Sequence, residues 1–502
     1  MAAVLLFLVS MPYILASVAT GPDHVFGGFL LNPIDGNSYL AKMRQGYEGS
    51  WQFTLPYTPD PGEGSYLFVF YLFLGHLARF LNWSLLFTFH FARLVGALFL
   101  VISLYRFCKF VFTHGRTRWL AFTFALFGSG LGWLAFIIFG VISSDFWVAE
   151  AYPFLSAYAN PHFALGLAIQ LWLLTPGNSS EIGWRYGFKL AIASFLLAEI
   201  APFAVPVVVV VYAGLLVWKL SAKEGIKPDI FRLIWIGIGS APILLYDLWI
   251  INSHPVLSGW NAQNLTPSPP LWDLLISTAP AVILAILAVR LLVKSSAQPQ
   301  RLLIVWLVVC FVLLYVPFNL QRRFLTGYFV PVALLAVLAM ERVGSNHPRR
   351  YRRWIASLFA FSIPTNIIVF LIAVFGVIGL EPQIVLDKNE SLAFTWIAEN
   401  ITPDSLMLAA PDTGLYLPAY SSIRVVYGHP FETLRAEEQE ASVISFYSEW
   451  GQNQITSFLA STQANYVFVG PRERDLGKLT IQADWQIVYE NQGVVIYAVG
   501  SE

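Results

Sequence analysis

Apolar residues gather in blocks of the length that crosses a bilayer. Runs of this kind occur at residues 3–20, 86–108, 118–141, 161–175, 231–251, 272–293, 302–318, 325–343 and 355–379. About 20 apolar residues in a helix traverse a hydrocarbon core of roughly 30 Å. Residues 186–220 are also apolar but would measure about 52 Å as one helix. Pro202 and Pro206 stand mid-way, where a missing amide hydrogen and a ring clash break a helix, so the stretch predicts two crossings. Residues 65–81 are short and end on His76 and Arg79, so they either span or lie in the interface as an amphipathic segment. We read them as non-spanning, which gives eleven crossings with the N-terminus inside. Residues 1–20 lack the positive flank of a signal peptide, and a retained first helix is expected, with cleavage after Ala19 as the alternative.

Beyond residue 380 the pattern changes. Charges return, and short β-rich runs at 406–410, 423–427, 466–470, 485–489 and 494–499 alternate with helical stretches near 391–400 and 433–460. The expected organisation is a polytopic α-helical membrane domain over 1–380, whose outer loop 20–85 carries juxtamembrane helices. A small α/β domain over 381–502 follows an odd number of crossings and is therefore extracytoplasmic.

Composition removes the alternatives. Of 502 residues 57% are hydrophobic, 16% aromatic and 12% charged, against about 25% charged in a soluble domain. That excludes an ordinary aqueous globule and a disordered chain. Thirty basic residues balance thirty acidic ones, so no nucleic-acid partner is implied. The positions of the charges orient the chain, because short cytoplasmic loops carry excess Lys and Arg. Eighteen basic residues fall in loops 106–118, 185–189, 219–232, 290–301 and 342–353, against five on the opposite side. Cys108 and Cys310 lie in or beside apolar runs and read as packing residues.

Ionisable residues at membrane depth need a partner or a task. In this topology Asp35 lies in the first outer loop, and Asp145 and Glu150 in the second. Glu199 adjoins the Pro202 break, and Asp247 sits one turn below an outer helix end. Arg93 is about two turns below the outer end of its crossing, and Arg322 and Arg323 open the run 325–343. Asp145 and Glu150 suit either a solvated surface or a site; Glu199 and Asp247 suit either pairing with Arg93, helix capping or a site. The arginine pair is more pointed: it defies the charge rule, and guanidinium groups grip phosphate oxygens in a bidentate fork. Gly128-Ser129-Gly130-Leu131-Gly132 is nucleotide-loop-like only in composition; inside an apolar run its small residues let helices approach closely. His162 starts a crossing and reads as a helix-start residue before a site-lining one. No histidine spacing marks a metal site.

The first outer loop reads Pro33-Ile34-Asp35-Gly36-Asn37-Ser38-Tyr39-Leu40-Ala41-Lys42-Met43-Arg44-Gln45-Gly46. This resembles the first-loop signature of the GT-C-fold glycosyltransferases, among them protein O-mannosyltransferases, lipid A aminoarabinose transferases and bacterial polyprenyl-phosphate-sugar transferases. The resemblance covers crossings one to ten in layout and about twenty positions in specific residues. It implies a catalytic Asp35, with Tyr39 and Lys42 on the same juxtamembrane helix, and a second, non-spanning helix at 65–81. Arg93, Arg322 and Arg323 match the family's outer arginines that hold the donor phosphate. Two departures stand out. Many relatives carry two acids together where this chain has Asp35 and then Gly36, and a Pro-Pro-Leu start is here Pro61-Gly62-Glu63-Gly64. Asp35 therefore works alone or with Glu63, Asp145 or Glu150. A divalent metal is an option that no ligand spacing picks out.

The resemblance implies an integral membrane enzyme of a bacterial plasma membrane, moving a hexosyl or pentosyl group from a polyprenyl-phosphate donor to a hydroxyl on a lipid, glycan or protein, with inversion. Trp51, Tyr57 and Tyr66 are candidates to stack on sugar or isoprenoid. Two other classes stay in view: a transporter or flippase of lipid-linked saccharide, which would show internal repeats and midplane charges, and a non-catalytic scaffold.

Overall fold

The computed structural model describes residues 1–176, 183–295, 297–344, 348–403 and 405–499. Helices dominate, and among the described residues seven are long and apolar enough to cross a membrane: Ala2–Ala19, Leu85–Val111, Gly115–Phe139, Ala204–Ser221, Lys227–Ser253, Gln321–Gly344 and Arg349–Ile378. Leu271–Thr278 and Ala281–Leu292 make an eighth if taken as one span, bent by 93°. The other three stretches read as crossings form helices Pro161–Leu174, Trp184–Ile200 and Gln298–Leu313, of 14, 17 and 16 residues. At 1.5 Å per residue these reach about 21–26 Å, short of a full hydrocarbon core. The break in the long apolar stretch falls at 201–203, where Pro202 has no amide hydrogen to donate. Pro206 sits in the first turn of the next helix, where that loss is tolerated.

Two compact units form. The first contains 1–10, 90–246 and 266–372; the second contains 11–89, 247–265 and 373–502. Gln321–Gly344 runs through the core of the first unit. Thirteen of its residues from Phe329 onward are buried, against helices that include Gly115–Phe127, Ala281–Leu292 and Gln298–Leu313. The Gly128–Gly132 segment is not helical throughout. The helix stops at Phe127 and restarts at Gly132, and a Cβ on Gly130 would lie 2.1 Å from the Ser277 carbonyl oxygen. Close approach thus explains the small residue, at a break rather than along a continuous helix.

In the second unit, α1 (Ala2–Ala19) contributes its C-terminal half, followed by β1 (His24–Phe26), α2 (Pro33–Glu48) and α3 (Val69–Leu81). At 13 residues α3 reaches about 20 Å and does not match a full hydrocarbon core. Helices α2 and α3 cross backbone to backbone. A Cβ on Gly46 would lie 2.1 Å from the Leu72 carbonyl oxygen, and one on Gly75 would lie 2.0 Å from that of Met43. Strand β2 (Val385–Asp387) pairs antiparallel with β1, His24 opposite Asp387, and so ties the first loop to the start of the C-terminal region.

The C-terminal region is built on a five-stranded mixed sheet of β3 (Leu406–Leu408), β4 (Arg424–Val425), β5 (Tyr466–Val469), β6 (Gln486–Glu490) and β7 (Val495–Ala498), in the order β4-β3-β5-β7-β6. Each β-rich run of the sequence coincides with one of these strands to within a residue or two. Helices Ala436–Ser448 and Gln452–Thr462 cover one face through Phe446, Tyr447 and Ile455. Helix Pro411–Ser421 was not readable, because Pro418 lies inside it.

Candidate active site

Asp35 is the third residue of α2, in its first turn. Unpaired amide hydrogens and the helix dipole at this end favour a carboxylate. Its side chain is 34% exposed, accessible to a substrate yet held by a rigid element. Gly36 follows it for a steric reason: a Cβ there would meet the buried Phe29 ring at 2.4 Å. The doubled acid of the family signature has no room here.

Two turns further along α2 the helix carries a buried charge. Lys42 is wholly buried, and its Nζ donates to Glu432 Oε1 at 2.7 Å and to Ser38 Oγ at 2.5 Å. Ser38 donates to the same Glu432 oxygen at 2.5 Å. The ammonium also faces the rings of Phe68, Phe53 and Tyr39, at 4.5, 5.2 and 5.3 Å from their centroids. Burial alone would raise the Glu432 carboxyl, but Lys42, His429 and the hydrogen bonds from Lys42 and Ser38 bring it below the ordinary carboxylate value. Tyr39 stacks on Tyr71 of α3, with centroids 4.3 Å apart. His429 stands beside this group, its Nε2 4.0 Å from Asp35 Oδ1. Glu63 is exposed, and its main-chain carbonyl meets the His254 ring at 3.0 Å. Trp51 stacks on His76 at 4.0 Å, and Tyr57 is buried with its hydroxyl donated to the Leu415 carbonyl. Tyr66 is exposed.

The first unit has its own charged group. Glu150 Oε1 lies 3.5 Å from Arg323 Nη1 and 3.9 Å from Arg322 Nε. The Arg322 guanidinium rests 4.5 Å above the Trp147 ring. The arginines are 18% and 24% exposed for Arg322 and Arg323, and their separations from Glu150 exceed those of a good hydrogen bond. They carry a fork that a phosphate could take over.

The remaining candidates divide by their partners. Asp145 is fully buried and accepts from Ser143 Oγ at 2.6 Å, Thr365 Oγ1 at 2.9 Å, Ser129 Oγ at 3.0 Å and the amides of Gly130 and Gly132 at 3.1 and 3.2 Å. Burial raises its carboxyl, and the hydrogen bonds from Ser143, Thr365, Ser129 and Gly130 work against the rise. It closes the break at 128–131. Arg93 is buried, with Nη1 donating to the carbonyls of Val9, Ala157 and Tyr158 and Nε to His90. Glu199 is the penultimate residue of Trp184–Ile200, and Asp247 lies six residues before the end of Lys227–Ser253; both are half-buried. His162 is half-buried in the first turn of Pro161–Leu174, with its ring 4.0 Å from that of Phe163. Among the described residues no three His, Cys, Asp or Glu side chains assemble as a ligand set.

Sequence reasoning missed Glu432 and His429. A lysine buried in a juxtamembrane helix demands a counter-ion, but nothing local says which of thirty acids supplies it.

No family model matches the chain, and no curated relative does. Solved structures do. The archaeal oligosaccharyltransferase AglB from Archaeoglobus fulgidus, in complex with an inhibitory peptide and a dolichol-phosphate, is 13% identical, with 93% of this chain and 69% of that one covered at a TM-score of 0.52. ArnT from Cupriavidus metallidurans in the apo state is 13% identical, with 98% of this chain and 97% of that one covered at a TM-score of 0.51. The chain has the GT-C fold. ArnT has also been solved bound to undecaprenyl phosphate, and that structure aligns over 98% of this chain at 12% identity and a TM-score of 0.50. The GT-C fold is thus present along nearly the whole sequence, where residue identity alone is too low to carry a role from one chain to the other.

Proposed function

We propose that this protein is a membrane glycosyltransferase that moves a sugar from a polyprenyl-phosphate donor to a hydroxyl acceptor on the outer membrane face. The observation that carries this reading is the Asp35 carboxylate, presented half-buried at a helix N-terminus in a chain with the fold of two transferases solved with dolichol-phosphate and undecaprenyl phosphate. In the proposed arrangement residues 1–380 make eleven crossings of a bacterial plasma membrane, with residues 381–502 outside.

The chemistry asked of these residues is modest. Asp35 takes the proton of the acceptor hydroxyl, an effect worth about 10²–10⁴-fold. The hydroxyl oxygen bonds to the anomeric carbon as the bond from that carbon to the phosphate oxygen breaks. The leaving phosphate keeps the electron pair, and one displacement inverts the configuration. Arg322 and Arg323 neutralise the charge that develops on the leaving phosphate. Arg93 lends support through the main chain it holds. The sugar is a hexose or pentose, and the acceptor a lipid, glycan or protein.

Mass spectrometry of lipid-linked sugars in cells with the gene disabled tests the reading. Accumulation of one polyprenyl-phosphate sugar together with loss of a glycosylated product is expected. An unchanged lipid-linked pool would refute the assignment, and proteoliposomes that carry lipid-linked saccharide across the bilayer without forming product would establish the transporter instead.

A further inference from the structure

The C-terminal region brings one histidine to the aspartate of the first loop. His429 is 2% exposed. Its Nδ1 accepts from the backbone amides of Phe431 and Glu432, both at 3.1 Å. A ring nitrogen that accepts two N–H bonds carries no proton, so the proton of the neutral imidazole is on Nε2. Burial lowers the His429 pKa, with Glu432 and Asp35 acting to raise it and Lys42 to lower it; the ring stays neutral. Nε2 is buried with no hydrogen-bond partner among the described residues, which costs free energy. Asp35 Oδ1 stands 4.0 Å away.

The imidazole is fixed from several sides. Its two amide bonds set the ring orientation, and the Tyr57 ring packs beside it with centroids 5.5 Å apart. Gly428 brings the backbone in tightly: a Cβ there would lie 2.4 Å from the Gly414 carbonyl oxygen and 2.9 Å from the Tyr57 ring. Lys42 and Glu432 satisfy each other's charge at 2.7 Å. The donor that points toward Asp35 is therefore the neutral N–H of His429.

We propose that His429 is the positioning residue for Asp35, its Nε2–H donating to Oδ1 in the substrate-loaded enzyme so that Oδ2 faces the acceptor hydroxyl. This rests on the reading of Asp35 as general base. The gap must close by about 1 Å to reach hydrogen-bond length, and catalytic hydrogen bonds often tighten only in the loaded complex. The proton moved in the reaction passes from the acceptor oxygen to Asp35 Oδ2, while His429 keeps its own. The C-terminal region thereby supplies part of the catalytic apparatus.

Two substitutions separate positioning from packing. In His429→Asn the amide oxygen takes the place of Nδ1 and still accepts the two backbone amides, but no donor reaches Asp35. In His429→Gln the amide nitrogen takes the place of Nε2 and the donor survives, while the inner acceptor is lost. Each full-length variant, with Asp35→Asn alongside, is expressed in cells lacking the native gene. The readouts are the ratio of accumulated polyprenyl-phosphate sugar to product by mass spectrometry, and the thermal midpoint of the purified protein.

Positioning predicts that His429→Asn melts near wild type yet loses about a hundredfold in turnover, the scale of a 1 Å misplacement. It predicts that His429→Gln melts lower yet keeps activity within about fivefold. Wild-type turnover in a folded His429→Asn, with Asp35→Asn inactive, overturns the positioning role and leaves the base intact. Activity surviving in Asp35→Asn overturns the base itself. If His429→Gln does not fold, the His429→Asn result decides alone.

Discussion

Two of the charged clusters among the described residues are built on opposite principles. Around Lys42 and Glu432 the atoms meet at 2.7 Å, the ammonium is sealed among aromatic rings, and Ser38 completes the network. Around Glu150 the two arginines stand at 3.5 and 3.9 Å and remain partly exposed. A tight buried pair specifies structure, and breaking it leaves an uncompensated charge. A loose pair at a partly open surface can exchange one anion for another. Burial and spacing suit the first cluster to holding α2; meeting the donor phosphate is the role proposed for the second. Asp35, on the same helix as Lys42, is carried by the rigid cluster while staying accessible itself.

That contrast can be broken in graded ways. The largest stability effect is expected from Lys42→Met, which strands Glu432: about 3–5 kcal/mol lost, read by chemical or thermal unfolding in detergent. The double variant Lys42→Met with Glu432→Leu should recover much of it. Arg323→Ala should do the reverse, barely moving the midpoint while weakening polyprenyl-phosphate binding about ten- to a hundredfold, in line with about 1.5–3 kcal/mol for a charged hydrogen bond. An unchanged donor affinity would return the arginine to a structural role. Gly36→Ala should cost about 1–3 kcal/mol by overpacking Phe29, with activity falling in parallel as Asp35 is displaced.

The smallest effect is one of pH. His429 is pushed below its ordinary value of 6.5, so just below that pH the unfolded chain binds the proton and the folded chain does not. Stability therefore falls as pH drops below about 6.5. Glu432, also depressed, adds a loss in the same direction below its ordinary 4.5. Melting followed across pH 5 to 7 should show a shallower slope in His429→Gln than in wild type.

Much of this architecture was legible because burial in lipid imposes long runs and sharp stops. Pro202 marked its break, and each β-rich run after residue 380 yielded a strand, since alternation and β-branched residues act locally. Asp35 was legible as the acid of a helix-starting motif. The partners of α2 were not: Glu432 and Ser38 are 394 positions apart in sequence, and no periodicity encodes a contact of that range. Asp145 shows the converse limit. Its sequence position, in a loop expected to be outer, suits a site or a surface equally, and only its five donors reveal that it fastens a broken helix.

Native mass spectrometry of the purified Asp35→Asn protein addresses the central claim most directly. The account predicts that this variant carries a trapped lipid of the mass of a polyprenyl phosphate plus one sugar, where wild type given acceptor carries the bare polyprenyl phosphate. Wild-type turnover by Asp35→Asn, or the absence of any lipid phosphate on either protein, would contradict it.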